Sequence, residues 1–196
     1  MLLENLFGRK VEGKKVEAIE RHSRTYTFPG RVKRDFGSHL PKIEEGTILD
    51  AGCSDGHTTR ELSELYPRCH VIGIDCNKDS CKHARGLHND LEFHVGNFYK
   101  LSDNFPPDYF TAIFAMNNLT AVSHNLSRRE LLAIFDNFNR SLKDGGYLCI
   151  SDDIGWDPKL AILKKKGEEF SEVYVSPIFR VRNTFGYMPE ACGIKR

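Results

Sequence analysis

Residues 47–56 read Thr47-Ile48-Leu49-Asp50-Ala51-Gly52-Cys53-Ser54-Asp55-Gly56, and a second apolar run, Val71-Ile72-Gly73-Ile74, ends in Asp75. Short apolar runs bounded by turn residues read as buried strands. The first run ends in Asp50 and opens into a tight turn on Gly52 and Gly56. The second ends in a carboxylate. In an α/β sheet this pairing builds a nucleoside site. Glycines let backbone approach the ligand, the following helix offers free N–H groups, and the second carboxylate accepts from ribose hydroxyls. Each part also has a plainer use. Gly52 and Gly56 could simply turn a strand into a helix, and Asp75 could cap the next helix, as could Asn77.

The spacing Asp50-x-Gly52-x-Ser54-x-Gly56 departs from the G-x-G-x-x-G of dinucleotide sites. It resembles motif I, [DE]-x-G-x-G-x-G, of the class I S-adenosylmethionine-dependent methyltransferases, with Ser54 in the place of the middle glycine. Four further segments follow in the family's order. Asp75 matches the acid ending strand 2, and Gly96-Asn97-Phe98 matches the segment after strand 3. Asp108–Phe114 resembles strand 4. Leu142-Lys143-Asp144-Gly145-Gly146-Tyr147-Leu148 resembles the L-x-P-G-G-x-L turn into strand 5, with Asp144 in the proline position. The resemblance spans residues 45–155.

What the resemblance implies is specific. The fold is α/β: a doubly wound, mostly parallel, seven-stranded Rossmann-like sheet in the order 3-2-1-4-5-7-6, strand 7 antiparallel. The cofactor is S-adenosyl-L-methionine. Gly52 and its neighbours Cys53, Ser54 and Gly56 pack its methionine part, and Asp50 supports that turn. Asp75 takes the ribose hydroxyls. Cys76 and Phe98 flank the adenine, and Asn97 meets its amino group through the amide oxygen. Met116 and Asn117 lie near the sulfonium. Phe98 could equally be ordinary core.

The rest of the chain alternates strand and helix, as a parallel sheet requires. Strands are expected over 47–51, 70–75, 91–95, 109–115 and 147–151, with helices over 56–66 and 78–87. The clearest helix begins at a Ser127/Glu130 capping box, carries Leu131, Ile134, Phe135, Phe138 and Leu142 at helical spacing, and is expected to stop at Gly145. A helix over 157–168 and two β-rich runs, 172–176 and 178–182, follow. Residues 1–45 read as an N-terminal helical cap of the same domain, including a short helix within 31–40. Residues 46–196 read as the cofactor-binding methyltransferase domain.

A chain of 196 residues with net charge +1 suits one domain. No apolar run reaches the ~18 residues of a membrane span, and Glu4 in a charged N-terminal region argues against a secretory signal. The six cysteines, at 53, 69, 76, 81, 149 and 192, have no disulfide-framework spacing. Buried free thiols and a cytoplasmic location are expected. Cys69-His70, Cys76, Cys81 and His83 are close in sequence, but a strand between Cys69 and Cys76 would hold them roughly 20 Å apart. No metal site is expected.

Methyl transfer from a sulfonium is an in-line displacement in which protein mainly aligns reactants and excludes water. A base is needed only where the nucleophile loses a proton. Candidates are His124, after strand 4, and Asp152, with Asp153, after strand 5. Tyr26 and His22 could come from the cap. No substrate motif stands out, and the strand 4 exit, Ala115-Met116-Asn117-Asn118, lacks [DN]-P-P-[YF]. Near-zero net charge and the lack of a basic stripe with interleaved aromatics favour a small-molecule acceptor. A protein or RNA acceptor handled with a partner is the alternative, and a non-catalytic cofactor-binding regulatory subunit is the third reading. The expected state is monomer or homodimer, without membrane association.

Overall fold

Period-two alternation of apolar side chains gives the central sheet two buried faces. The structure, a computed structural model, describes residues 29–37, 40–116, 128–151, 170–175, 179–180, 187–188 and 190–195. Five parallel strands form its body: β1 (Gly46–Ala51), β2 (Cys69–Asp75), β3 (Glu92–Val95), β4 (Phe110–Met116) and β5 (Leu142–Ser151). They lie in the order β3-β2-β1-β4-β5. Ile48 pairs with Val71 on one side and Ala112 on the other.

One face carries Ile48, Val71, Ala112 and Phe114. It packs on α1 (Arg31–Phe36) and α2 (His57–Leu65) through Val32, Phe36, Leu62 and Tyr66. The other face carries Leu49, Ile72, Ile74, Ile113 and Ala115. It packs on α4 (Arg128–Ser141) through Ile134, Phe135 and Phe138, and on the 3-10 turn Phe98–Asp103. Helix α3 (Lys78–Leu87) covers the β3 edge, where Cys53, Ala84 and Phe93 cluster. Asn77 caps α3, its side chain accepting from Asp79 N at 2.9 Å and Ser80 N at 3.1 Å.

Two expected boundaries move. Helix α4 ends at Ser141, not Gly145. Its last carbonyls are taken from outside: Asp108 N donates to Arg140 O at 3.0 Å and Tyr109 N to Ser141 O at 2.9 Å. Leu142 then pairs with Phe110, and Gly145, at φ 73°, turns the chain before Tyr147 rejoins β4 at Ala112. The second shift is at the far edge. The backbone beside β5 is β9 (Glu190–Lys195), antiparallel, and β6 (Phe170–Val175) pairs antiparallel with β9. Within the run 178–182, β7 (Phe179–Arg180) pairs with β8 (Tyr187–Met188) in a separate two-stranded ribbon.

The order of the strands fixes where a ligand can sit. The chain runs outward from β1 through β2 to β3, then returns to β4 on the other side of β1. Connections at such a reversal diverge and leave a crevice at the carboxyl ends of the strands. Ala51, Asp75, Met116 and Ser151 end their strands there. Among the described residues, no helix is long and apolar enough to cross a membrane.

Candidate functional site

Past Ala51 the chain turns through three positive-φ residues, Gly52 (81°), Ser54 (49°) and Gly56 (85°). Glycine suits two of these positions because it has no Cβ to clash in the left-handed region. Gly56 has a second reason: a Cβ there would meet Phe93 Cζ at 2.7 Å. The turn is stitched to β2, with Gly52 N and Cys53 N donating to Ile74 O at 2.7 and 3.0 Å.

Asp75 joins the two loops at the mouth. One carboxylate oxygen accepts from Ser54 N at 2.9 Å, the other from Asn77 N at 2.8 Å. The side chain is 7% exposed, and burial raises its pKa against the pull of the Asn77 and Ser54 amides. Of the two sequence readings of Asp75, the cap belongs to Asn77, whose side chain does that work. Asp75 instead holds a pre-oriented, partly desolvated acceptor beside the turn. Cys76 follows it, exposed.

Asp50 lies beneath the turn. It is 1% exposed and accepts from Thr59 Oγ1 at 2.7 Å, tying β1 to α2. Burial pushes its carboxyl up to about 7; the Thr59 hydroxyl opposes this and the Asp75 charge adds to it. Asn97 is half-buried and opens the 3-10 turn, its carbonyl accepting from Lys100 N at 2.8 Å. Phe98 packs in the core, stacked on Phe138 with centroids 6.0 Å apart. Met116 is buried on the α1 side. Asn117, His124 and Asp152 lie outside the described residues, as do Tyr26, His22 and Ser127.

A polar network missed in the sequence flanks the same crevice. Helix α1 begins at Gly30, which offers no side-chain cap. Glu61, reaching from α2, supplies one: its carboxylate accepts from Val32 N at 2.9 Å and Lys33 N at 3.0 Å. Asp35 accepts from Arg31 Nε at 3.1 Å, Arg34 Nε at 2.8 Å and Ser151 Oγ at 2.8 Å. Arg31, Asp35, Glu61 and Ser151 are all buried. Helix α1 is thereby tied to the end of β5, and Val32 and Phe36 belong to the core. The Arg31/Asp35 spacing of four residues was a visible signal; the reach of Glu61 was not.

Residues 48–146, just over half of the chain, match the family described as methyltransferase domain. This chain belongs to the class I S-adenosylmethionine-dependent methyltransferases. The trans-aconitate 2-methyltransferase of Afipia carboxidovorans is 29% identical over 120 residues, covering 61% of this chain and 43% of that enzyme. The malonyl-[acyl-carrier protein] O-methyltransferase of Legionella pneumophila is 32% identical over 75 residues, 35% of this chain and 26% of that enzyme. The chain spans less than half the length of the trans-aconitate methyltransferases of Afipia and Azoarcus that it matches. In fold, a S-adenosylmethionine-dependent methyltransferase from Methanosarcina mazei superposes with TM-score 0.62 at 19% identity, covering 86% of this chain and 98% of that one. The site fits the family's cofactor, S-adenosylmethionine: a β1 turn whose glycine brings backbone to the crevice, with a fixed carboxylate beside it.

Proposed function

We propose that this methyltransferase transfers the methyl group of S-adenosylmethionine in line to an oxygen or nitrogen nucleophile of a small-molecule acceptor. The carrying observation is the Asp75 carboxylate, which bridges the Ser54 and Asn77 backbone amides at the crevice. In this reading Gly52, Cys53, Ser54 and Gly56 form the wall for the methionine part, over Asp50. Asp75 binds the ribose hydroxyls, and Cys76 and Asn97 form the adenine end. Met116 and Asn117 border the reacting centre. The guanidinium of Arg31, whose charge acts on Asp50, is assigned the carboxylate of the methionine part. When bound, the cofactor supplies the activated methyl group; the protein aligns and excludes water.

A carboxylate acceptor is favoured. The two relatives named above are, by name, methyltransferases of trans-aconitate and of a malonyl thioester, both carboxylic acids. A carboxylate is ionised at neutral pH, so its oxygen attacks without a general base. Were the acceptor a hydroxyl or amine, His124 or Asp152 would take the proton. We also assign to the chain the family's complete seven-stranded sheet, with β9 and β6 as its last members. Residues 1–45 form a helical cap on the same domain.

The test is product analysis with methyl-labelled S-adenosylmethionine against di- and tricarboxylic acids including trans-aconitate, with amines, RNA and protein as competitors. A base-labile methyl ester of a small acid is expected. Label entering RNA or protein instead would reverse the assignment in favour of a polymer acceptor.

A further inference from the structure

A buried ionic cluster ties α1 to the carboxyl end of β5, and one carboxylate is its hub. Asp35 Oδ2 accepts from both Arg31 Nε at 3.1 Å and Ser151 Oγ at 2.8 Å, while Oδ1 accepts from Arg34 Nε at 2.8 Å. The Arg31 and Asp35 side chains are 5% and 4% exposed; that of Arg34 is 55% exposed. Arg31 and Asp35 stand four residues apart, on one face of α1. Ser151 closes β5 and pairs with Met116 at the end of β4. Sharing one carboxylate oxygen with Ser151 therefore places the Arg31 guanidinium at the strand ends that border the crevice. Its charge also acts on Asp50, beneath the cofactor turn.

Packing alone does not call for this cluster. Val32 and Phe36 already seat α1 in the core, and a buried ion pair adds little net stability over apolar side chains of like volume. What the cluster adds is direction. A guanidinium is a planar fork of donors, so a grip on Nε fixes its plane and the heading of both Nη groups. The backbone is fixed as well: Glu61 accepts from Val32 N and Lys33 N, just past Arg31. Glu61 belongs to α2, which begins at His57, immediately after the turn that ends in Gly56. Arg31 and the cofactor turn thus share one frame.

We propose that Asp35 is a positioning residue for cofactor binding: with Ser151 behind it, Asp35 holds the Arg31 guanidinium where its fork receives the carboxylate of the methionine part. The inference rests on reading Arg31 as the anchor of that carboxylate. Asp35 acts through Arg31, so its effect is confined to ligands that carry the amino-acid end. Bidentate pairing with a carboxylate depends on the angle of the fork as well as on its charge. A misaligned Arg31 therefore loses affinity while keeping its charge. An amide at position 35 keeps the shape of the side chain but turns a donor toward one of the guanidinium groups.

The test compares two ligands by isothermal titration of the full chain: S-adenosylhomocysteine, and methylthioadenosine, which keeps the adenosine and sulfur and lacks the amino-acid part. Asp35→Asn should lose about tenfold or more in affinity for S-adenosylhomocysteine, the scale of one charge-assisted hydrogen bond, with methylthioadenosine affinity unchanged. Arg31→Gln should show the same selective loss, and adding Asp35→Asn to it should cost nothing further. If Asp35→Asn does not fold, Ser151→Ala carries the test, with a smaller loss of the same selectivity. Equal loss for both ligands, unchanged affinity for S-adenosylhomocysteine, or losses that add in the double variant overturn the proposal. Selective loss in Arg31→Gln with none in Asp35→Asn would keep Arg31 as the anchor and remove Asp35 from its support. Arg31→Gln without selective loss contradicts the reading of Arg31 on which the proposal rests. An unmodified protein that binds neither ligand contradicts the cofactor reading itself, and the role of Asp35 with it.

Discussion

Two carboxylates, one at each strand end, have different jobs. Asp75 accepts two backbone N–H groups and faces the crevice, so its loss acts twice. Asp75→Ala should weaken S-adenosylhomocysteine binding by about 1.5–3 kcal/mol and lower folding stability by about 1–3 kcal/mol, because Ser54 N and Asn77 N lose their acceptor. Calorimetry and urea unfolding on the same variant separate the effects; unchanged affinity would leave Asp75 with a structural role alone. Asp50 is the buried partner and gives a pH signature. Its folded pKa, about 7, stands above the ordinary aspartate value of 3.8, so the folded state holds a proton that the unfolded state releases. Stability contributed by that proton is present below pH ~4 and lost as pH rises toward ~7. Asp50→Asn should flatten the fall in stability between pH 4 and 7, as read by unfolding at a series of pH values. A slope equal to that of the unmodified protein would show that Asp50 ionises normally in the fold.

Among the elements, the sequence was most legible where one local signal decides the outcome. Asn77 starts α3, the 78–87 pattern gives that helix, and the alternating faces of β1, β2 and β4 follow from apolar runs. It was least legible where a distant partner decides. Helix α4 stops at Ser141 because the backbone before β4 takes its carbonyls, which no residue of α4 announces. The strand beside β5 is 190–195, a stretch with Gly193 inside and charge at both ends that does not read as a strand on its own. In the site, Asp50, Gly52, Gly56 and Asp75 were legible as a spaced motif, whereas Glu61 capping α1 from α2 depends on how two helices cross. That cap is testable. Glu61→Ala should cost about 1–3 kcal/mol, the scale of stranding buried hydrogen-bond partners, and Glu61→Gln less. Hydrogen exchange should show protection lost first at the Val32 and Lys33 amides. Loss spread evenly over the sheet would mean that α1 is held by Val32 and Phe36 packing alone.

For the whole molecule, the strand order and the crevice it creates bring the β1 turn, the β2 carboxylate and the end of β5 to one mouth. Helix α1 closes one side as a packed layer, with Val32 and Phe36 in the core. On this geometry the mouth takes S-adenosylmethionine in preference to a dinucleotide. Isothermal titration with S-adenosylmethionine, S-adenosylhomocysteine and NAD measures that choice directly. Micromolar binding of the first two and far weaker binding of NAD are expected. NAD binding as tight as S-adenosylhomocysteine would contradict it.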